Sequence, residues 1–177
     1  GRLVAIGRAL LRRRGGTVQK SVTVDGRAWP YLEGGDRTKP TLLLVHGFSG
    51  DKDNWSFLAP FLTRDYHVVA PDLPGFGENE RNPDLPYDIE AQTARLKTFV
   101  DALGLRQPHI AGNSMGGWIA LRYALDFPDA LASLILIDNA GVAGANESDL
   151  QKQAANEDYN PLVLASIEDA DRLVAMV

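Results

Sequence analysis

The chain has 177 residues, 45% of them hydrophobic and 23% charged, with a net charge of −5. That composition suits a soluble domain large enough to bury a core and excludes disordered and fibrous chains. With no cysteine there is no disulfide, thiolate metal site or cysteine nucleophile, and no apolar run approaches the roughly 20 residues that cross a bilayer.

Charge is unevenly spread. Residues 1–40 carry nine Lys/Arg against three Asp/Glu, whereas residues 41–177 carry nine against twenty. An acidic body argues against nucleic acid as a partner. The basic excess lies in "GRLVAIGRALLRRRGG", where Leu3, Val4, Ile6, Leu10 and Leu11 share one side of a helical wheel and Arg2, Arg8, Arg12 and Arg13 fall mainly on the other. Residues 1–16 thus read as a basic amphipathic helix, with two readings open: residues 1–14 resting on anionic lipid, or a terminal helix docked on the domain. The chain opens on Gly1 rather than methionine, which leaves a preceding signal or anchor open. Its compartment is open between the cytoplasm and a membrane surface.

Next, "VQKSVTVDGRAWPYLEGG" alternates Val18, Val22 and Val24, turns at Asp25 and Gly26, and returns through Trp29 and Tyr31, predicting a hairpin of two short strands. "TLLLVHG" lacks alternation, as a parallel strand covered on both faces does. Trp55 to Leu62 predicts a short helix and "YHVVAPD" a strand. "LPGFGENERNPDLPYD" reads as a loop, and Ile89 to Leu103 as a helix with Leu96, Phe99, Val100 and Leu103 on one face. "PHIAGN" is a strand, "MGGWIALRYALDF" a helix ended by Pro128, and "LASLILID" another buried strand. Strand and helix alternate, so residues 17–138 predict an α/β domain with a mostly parallel sheet and an N-terminal antiparallel hairpin. Residues 139–177 turn polar, then helical in pattern, with "SIEDADRLVAMV" opening on a capping-box-like Ser166 and Asp169. This segment predicts the start of a helical cap within which the fold is truncated.

Three glycines surround one serine in "HIAGNSMGGW". Gly112, Asn113, Ser114, Met115 and Gly116 match the nucleophile elbow, a sharp strand-to-helix turn that lifts a serine hydroxyl above the sheet. A side chain at Gly112 or Gly116 would collide with the neighbouring strand or helix. "TLLLVHG" ends at His46 and Gly47, so the amides of Met115 and Phe48 are the candidate oxyanion donors, each worth roughly 3–4 kcal/mol in rate. The plainer alternative is that Ser114 merely caps a helix.

Together "HGFSGDKDNW", "PDLPGFGEN", "AGNSMGGWIALRYALDFPD" and "LILIDNAG" resemble the α/β-hydrolase fold, most closely the lipase and esterase branch that includes monoacylglycerol lipases. The resemblance implies a triad in chain order nucleophile, acid, histidine, the last two following strands beyond the cap. Neither strand occurs here. His46, His67 and His109 sit where a structural or surface role is expected, so the catalytic histidine is not in this chain. Asp138, ending the strand after the nucleophile's helix, is a candidate acid or a carboxylate that fixes the turn by local hydrogen bonds. Asp72 in "DLPGFG" is expected to tie down its loop. The "LASLILI" strand would then be an apolar sheet edge, and a second chain carrying the C-terminal part of the fold is an expected partner.

These readings imply hydrolysis of carboxylic esters through an acyl-enzyme on Ser114, with no cofactor and no metal. Phe48, Trp118 and a cap segment around Leu162, Val163 and Leu164 would favour an apolar acyl chain, although Trp118's helical position reads as core. Two alternatives remain: carbon–carbon bond hydrolysis of ring-cleavage diketones, whose enzymes share "GNSMGG", and a non-catalytic binding module that keeps the elbow without a base.

Overall fold

The computed structural model describes the backbone of residues 2–141 and the side chains of residues 5–141. The predicted cap beyond Gly141, including Leu162 to Leu164 and the Ser166/Asp169 cap, lies outside the described residues.

Local chemistry sets the elements. Strand β1 (Thr17–Val24) and strand β2 (Arg27–Gly34) pair antiparallel over their full length. Asp25 and Gly26 join them with φ of 49° and 77°, the left-handed pair that a two-residue hairpin turn requires. Both strands have eight residues and are not short as the sequence suggested. They outrun the five-residue strands β3 (Thr41–Val45), β4 (His67–Pro71), β5 (His109–Asn113) and β6 (Ser133–Ile137), because tight turn and register hold the hairpin together beyond its contact with β4.

The sheet order is β1-β2-β4-β3-β5-β6, parallel from β4 to β6. Continuous apolar runs in β3 and β4 follow from burial on both faces. Leu43, Val45, Val69 and Ile110 pack with Leu96, Phe99 and Val100 of helix α3 (Ile89–Ala102) and Ile119 and Tyr123 of helix α4 (Met115–Asp126). Leu42, Leu44, Val68, Ala70 and Ala111 pack with Trp55 on the other face. The helix expected over Trp55–Leu62 resolves into a 3₁₀ turn, Lys52–Trp55, and a four-residue helix α2, Ala59–Leu62, with Pro60 in its first turn.

β6 was read as buried, and it is not: Ile135, Leu136 and Ile137 are 45%, 38% and 40% exposed. Among the described residues it pairs only with β5, so it is an edge.

Helix α1 (Arg2–Arg14) corrects the wheel. It docks through its charged side, with Arg8 on Asp51 and Asp53 and Arg12 bidentate on Asp53. Ile6 and Leu10 remain exposed. No helix among the described residues is long and apolar enough to cross a membrane.

Candidate active site

β3, β4 and β5 all end at one edge of the sheet, and their following loops converge there. Ser114 joins β5 to α4 with φ 52° and ψ −119°, a conformation costly for any residue with a Cβ. Its hydroxyl makes no capping hydrogen bond, so it does not act as a helix cap. The backbone around it is pinned: Ser114 N–H donates to Ile137 O of β6 at 3.1 Å, and Ser114 O accepts from Gly117, Trp118 and Ala140.

Close approach explains two glycines. A Cβ at Gly112 would lie 2.2 Å from the carbonyl oxygen of Gly116, and one at Gly116 would lie 2.4 Å from the carbonyl oxygens of Val45 and His46. The helix start is thereby wedged against β5 on one side and β3 on the other. The β3 loop reaches the serine as well, since a Cβ at Gly47 would fall 3.1 Å from Ser114 Cβ. Next to it, Phe48 is 45% exposed and meets Phe76 edge-on at 5.5 Å. The Phe48 and Met115 amides donate to no backbone acceptor among the described residues. Helix-start amides such as that of Met115 have no partner within the helix. A hollow of about 250 Å³ lined by His46, Asn54, Trp55, Leu58, Asn113 and Ile137 opens beside this junction.

No histidine stands ready as a base. His46 is fully buried; its Nδ1 is 2.8 Å from Gly47 O and its Nε2 accepts from Leu73 N–H at 2.9 Å. Those bonds fix the neutral tautomer protonated on Nδ1, and burial lowers its pKa further. His67 lies against Thr41 and Glu33, and His109 against Ser133 at the start of β5.

Asp138 follows β6, whose last residue Ile137 is registered with Asn113, so the carboxylate's chain position is level with Ser114. It is exposed, with φ 46°. The local side-chain bond at this turn comes instead from Asn139, whose amide donates to Ala140 O. Trp118, read as core, is 41% exposed and lies against Gly141.

Asp72 does hold its loop. It is fully buried, accepts from the Lys52 and Glu78 amides, and pairs with Lys52 Nζ at 2.7 Å. The buried Lys52 is what sequence reading missed. Its signal was the triplet Asp51, Lys52, Asp53 just past the β3 loop: Asp51 caps the 3₁₀ turn, Lys52 turns inward to Asp72, and Asp53 turns to α1.

The alpha/beta hydrolase fold family profile matches residues 40–167. The chain is 42% identical over 154 residues to Lipase 1 of Psychrobacter immobilis, covering 85% of this chain and 47% of that protein. Over 117 residues it is 39% identical to monoacylglycerol lipase abhd6-B of Xenopus laevis, covering 65% of this chain and 35% of the relative. The crystal structure of a membrane phospholipase A, a bacterial virulence factor, superposes with a TM-score of 0.91 at 47% identity, over 98% of this chain and 56% of that one. The chain thus spans about half the length of the Psychrobacter lipase and of the phospholipase, and about a third of abhd6-B.

Proposed function

Because the chain belongs to the α/β-hydrolase fold family, we propose that it carries the nucleophile half of a serine hydrolase acting on carboxylic esters with an apolar acyl chain. The observation that carries this reading is the backbone of Ser114 at φ 52°, ψ −119°, held between β5 and α4 with its hydroxyl uncommitted to a cap. Strain of that kind persists only where the surroundings enforce it. The lipase relatives favour esters over carbon–carbon bonds and over a module without chemistry.

In the proposed reaction Ser114 Oγ bonds to the ester carbonyl carbon as its proton passes to a base. The carbonyl oxygen takes the negative charge and accepts from the Phe48 and Met115 amides. The C–O bond to the alcohol then breaks, the alcohol leaves with the proton, and water hydrolyses the acyl-enzyme. Exposed Phe48 and Trp118, with Leu58 and Ile137 at the hollow, offer apolar surface for the acyl chain. All three histidines of the chain are engaged or remote, so a histidine base would come from outside these 177 residues, with the β6 edge as a seat for the segment that brings it.

The test is hydrolysis of a nitrophenyl acyl ester with imidazole added as a surrogate base, alongside a dienoate ketone. Imidazole-dependent ester turnover above that of the Ser114→Ala variant is expected, together with fluorophosphonate labelling that the variant loses. Equal rates and equal labelling in both proteins would refute the assignment, and preferential turnover of the ketone would move it to carbon–carbon cleavage.

A further inference from the structure

A cavity of about 470 Å³ lies away from Ser114. It opens at the other end of the sheet, where Thr41 begins β3 and His67 begins β4. The five residues of β3 separate the two ends by about 16 Å. That volume is within the range of small-molecule sites.

Its floor is a buried polar chain for which the proposed hydrolysis has no use. Thr41 Oγ1 lies 3.1 Å from His67 Nδ1, and His67 Nε2 lies 2.8 Å from Glu33 Oε1. Glu33 and His67 are both nearly inaccessible. Glu33 also pairs with Lys20 and, at 2.6 Å, with Arg37. Burial would raise the Glu33 carboxyl, but hydrogen bonds from Lys20, His67 and Arg37 together hold it below the usual carboxylate range. The single negative charge of the floor therefore already has its cations.

Two more line the walls. Lys39 Nζ donates to the backbone oxygen of Arg64 and makes no ion pair among the described residues, although the Asp36 carboxylate lies within coulombic reach of it. Arg106, in the loop from α3 to β5, makes no ion pair among the described residues. The nearby carboxylate of Asp36 accepts from the Thr38 amide and hydroxyl at 2.8 Å each, stays ionised and offsets part of this charge, leaving Arg37, Lys39 and Arg106 against Glu33 and Asp36. On a protein of net charge −5 this is a local cation excess around a concave surface.

We propose that this cavity is a second site, distinct from Ser114, that binds a small organic oxyanion, a phosphate ester or a carboxylate, between Lys39 and Arg106 over the Glu33–His67 floor. Leu103 and Leu105, partly buried against the core, also line the cavity and would adjoin the organic part. Charge-assisted bonds from a guanidinium and an ammonium are the strong form of this recognition.

The test is titration calorimetry of the full chain at fixed ionic strength with inorganic phosphate, glycerol 3-phosphate and hexanoate. Binding of at least one is expected, unchanged in Ser114→Ala and weakened about tenfold in Arg106→Ala and again in Lys39→Ala, as loss of one charged hydrogen bond gives. Both side chains are at the surface, and circular dichroism checks that the variants fold. Preference for glycerol 3-phosphate or hexanoate would identify the ligand as ester or carboxylate. No binding of any probe, tighter binding of inorganic phosphate than of either organic anion, equal affinity in the cation variants, or loss of binding with Ser114→Ala would overturn the proposal.

Discussion

Asp53 is a carboxylate with more positive charge around it than its burial would predict it could keep. Burial alone would raise its pKa; the Arg12 hydrogen bonds, then the charges of Arg12, Lys52 and Arg8, outweigh that and leave it below the ordinary carboxylate value. A carboxyl depressed on folding stabilises the folded state above its unfolded pKa, and the gain is lost as pH falls through the folded value. An Asp53→Asn variant should therefore unfold at lower urea than the parent from about pH 7 to about pH 5, with the gap closing below about pH 4. Urea titrations at stepped pH read this directly, and a gap that stays constant down to about pH 3 would contradict it. At this scale the sequence was most informative where a residue's backbone, not its partners, defines it. Ser114, Gly112 and Gly116 could be singled out because only an unusual turn needs that pattern. Lys52 and Asp53 could not, since their partners Asp72 and Arg12 lie 20 and 41 positions away in the chain.

Periodicity made the buried elements legible, and it failed for those with one bare side. Leu96, Phe99, Val100 and Leu103 were predicted on one face of α3; the first three are in the core, and Leu103, just past the helix end, packs partly buried against it. α1 was read as a basic amphipathic helix, and which face would dock depended on acidic partners in another segment. Asp51 and Asp53 took the arginines, and the apolar Ile6 and Leu10 were left outside. Leu11 and Arg14 of α1 share a groove of about 210 Å³ with Phe57 and Phe61, which are themselves 69% and 64% exposed. Two elements thus present large apolar side chains beside the exposed Arg13 and Arg14. The expected consequence is peripheral contact with an anionic lipid surface through residues 1–14 and the Phe57–Phe61 segment. Vesicles containing phosphatidylglycerol should sediment the protein, and Leu10→Glu together with Phe61→Glu should weaken binding by tenfold or more, since each buried side chain contributes about 1.5–3 kcal/mol. Unaltered sedimentation of that double variant would dismiss the contact.

Among the described residues the sheet has two unlike edges. At β1 the outward positions are mostly polar, and Lys20 lies there with its ammonium drawn to Glu33, a common way of discouraging strand addition. At β6 three consecutive apolar residues are exposed, and consecutive strand residues point to opposite faces, so both faces of the sheet are bare at this margin. The alternation of strands and helices in the sequence could predict β6 itself; its exposure follows from what packs beside it, which the strand's own residues cannot encode. Backbone groups flanked by Ile135 and Ile137 that find no strand partner among the described residues form a template for another strand, and this edge ends level with Ser114, where the proposed base must arrive. The chain should therefore associate with copies of itself or with a segment supplying the next strand. Sedimentation velocity is expected to show concentration-dependent association that Ile135→Lys with Ile137→Lys abolishes while the far-ultraviolet circular dichroism is unchanged. A parent protein that stays monomeric at every concentration, and that binds no added partner segment, would mean that this edge is protected in another way and that the base must reach Ser114 by a different route.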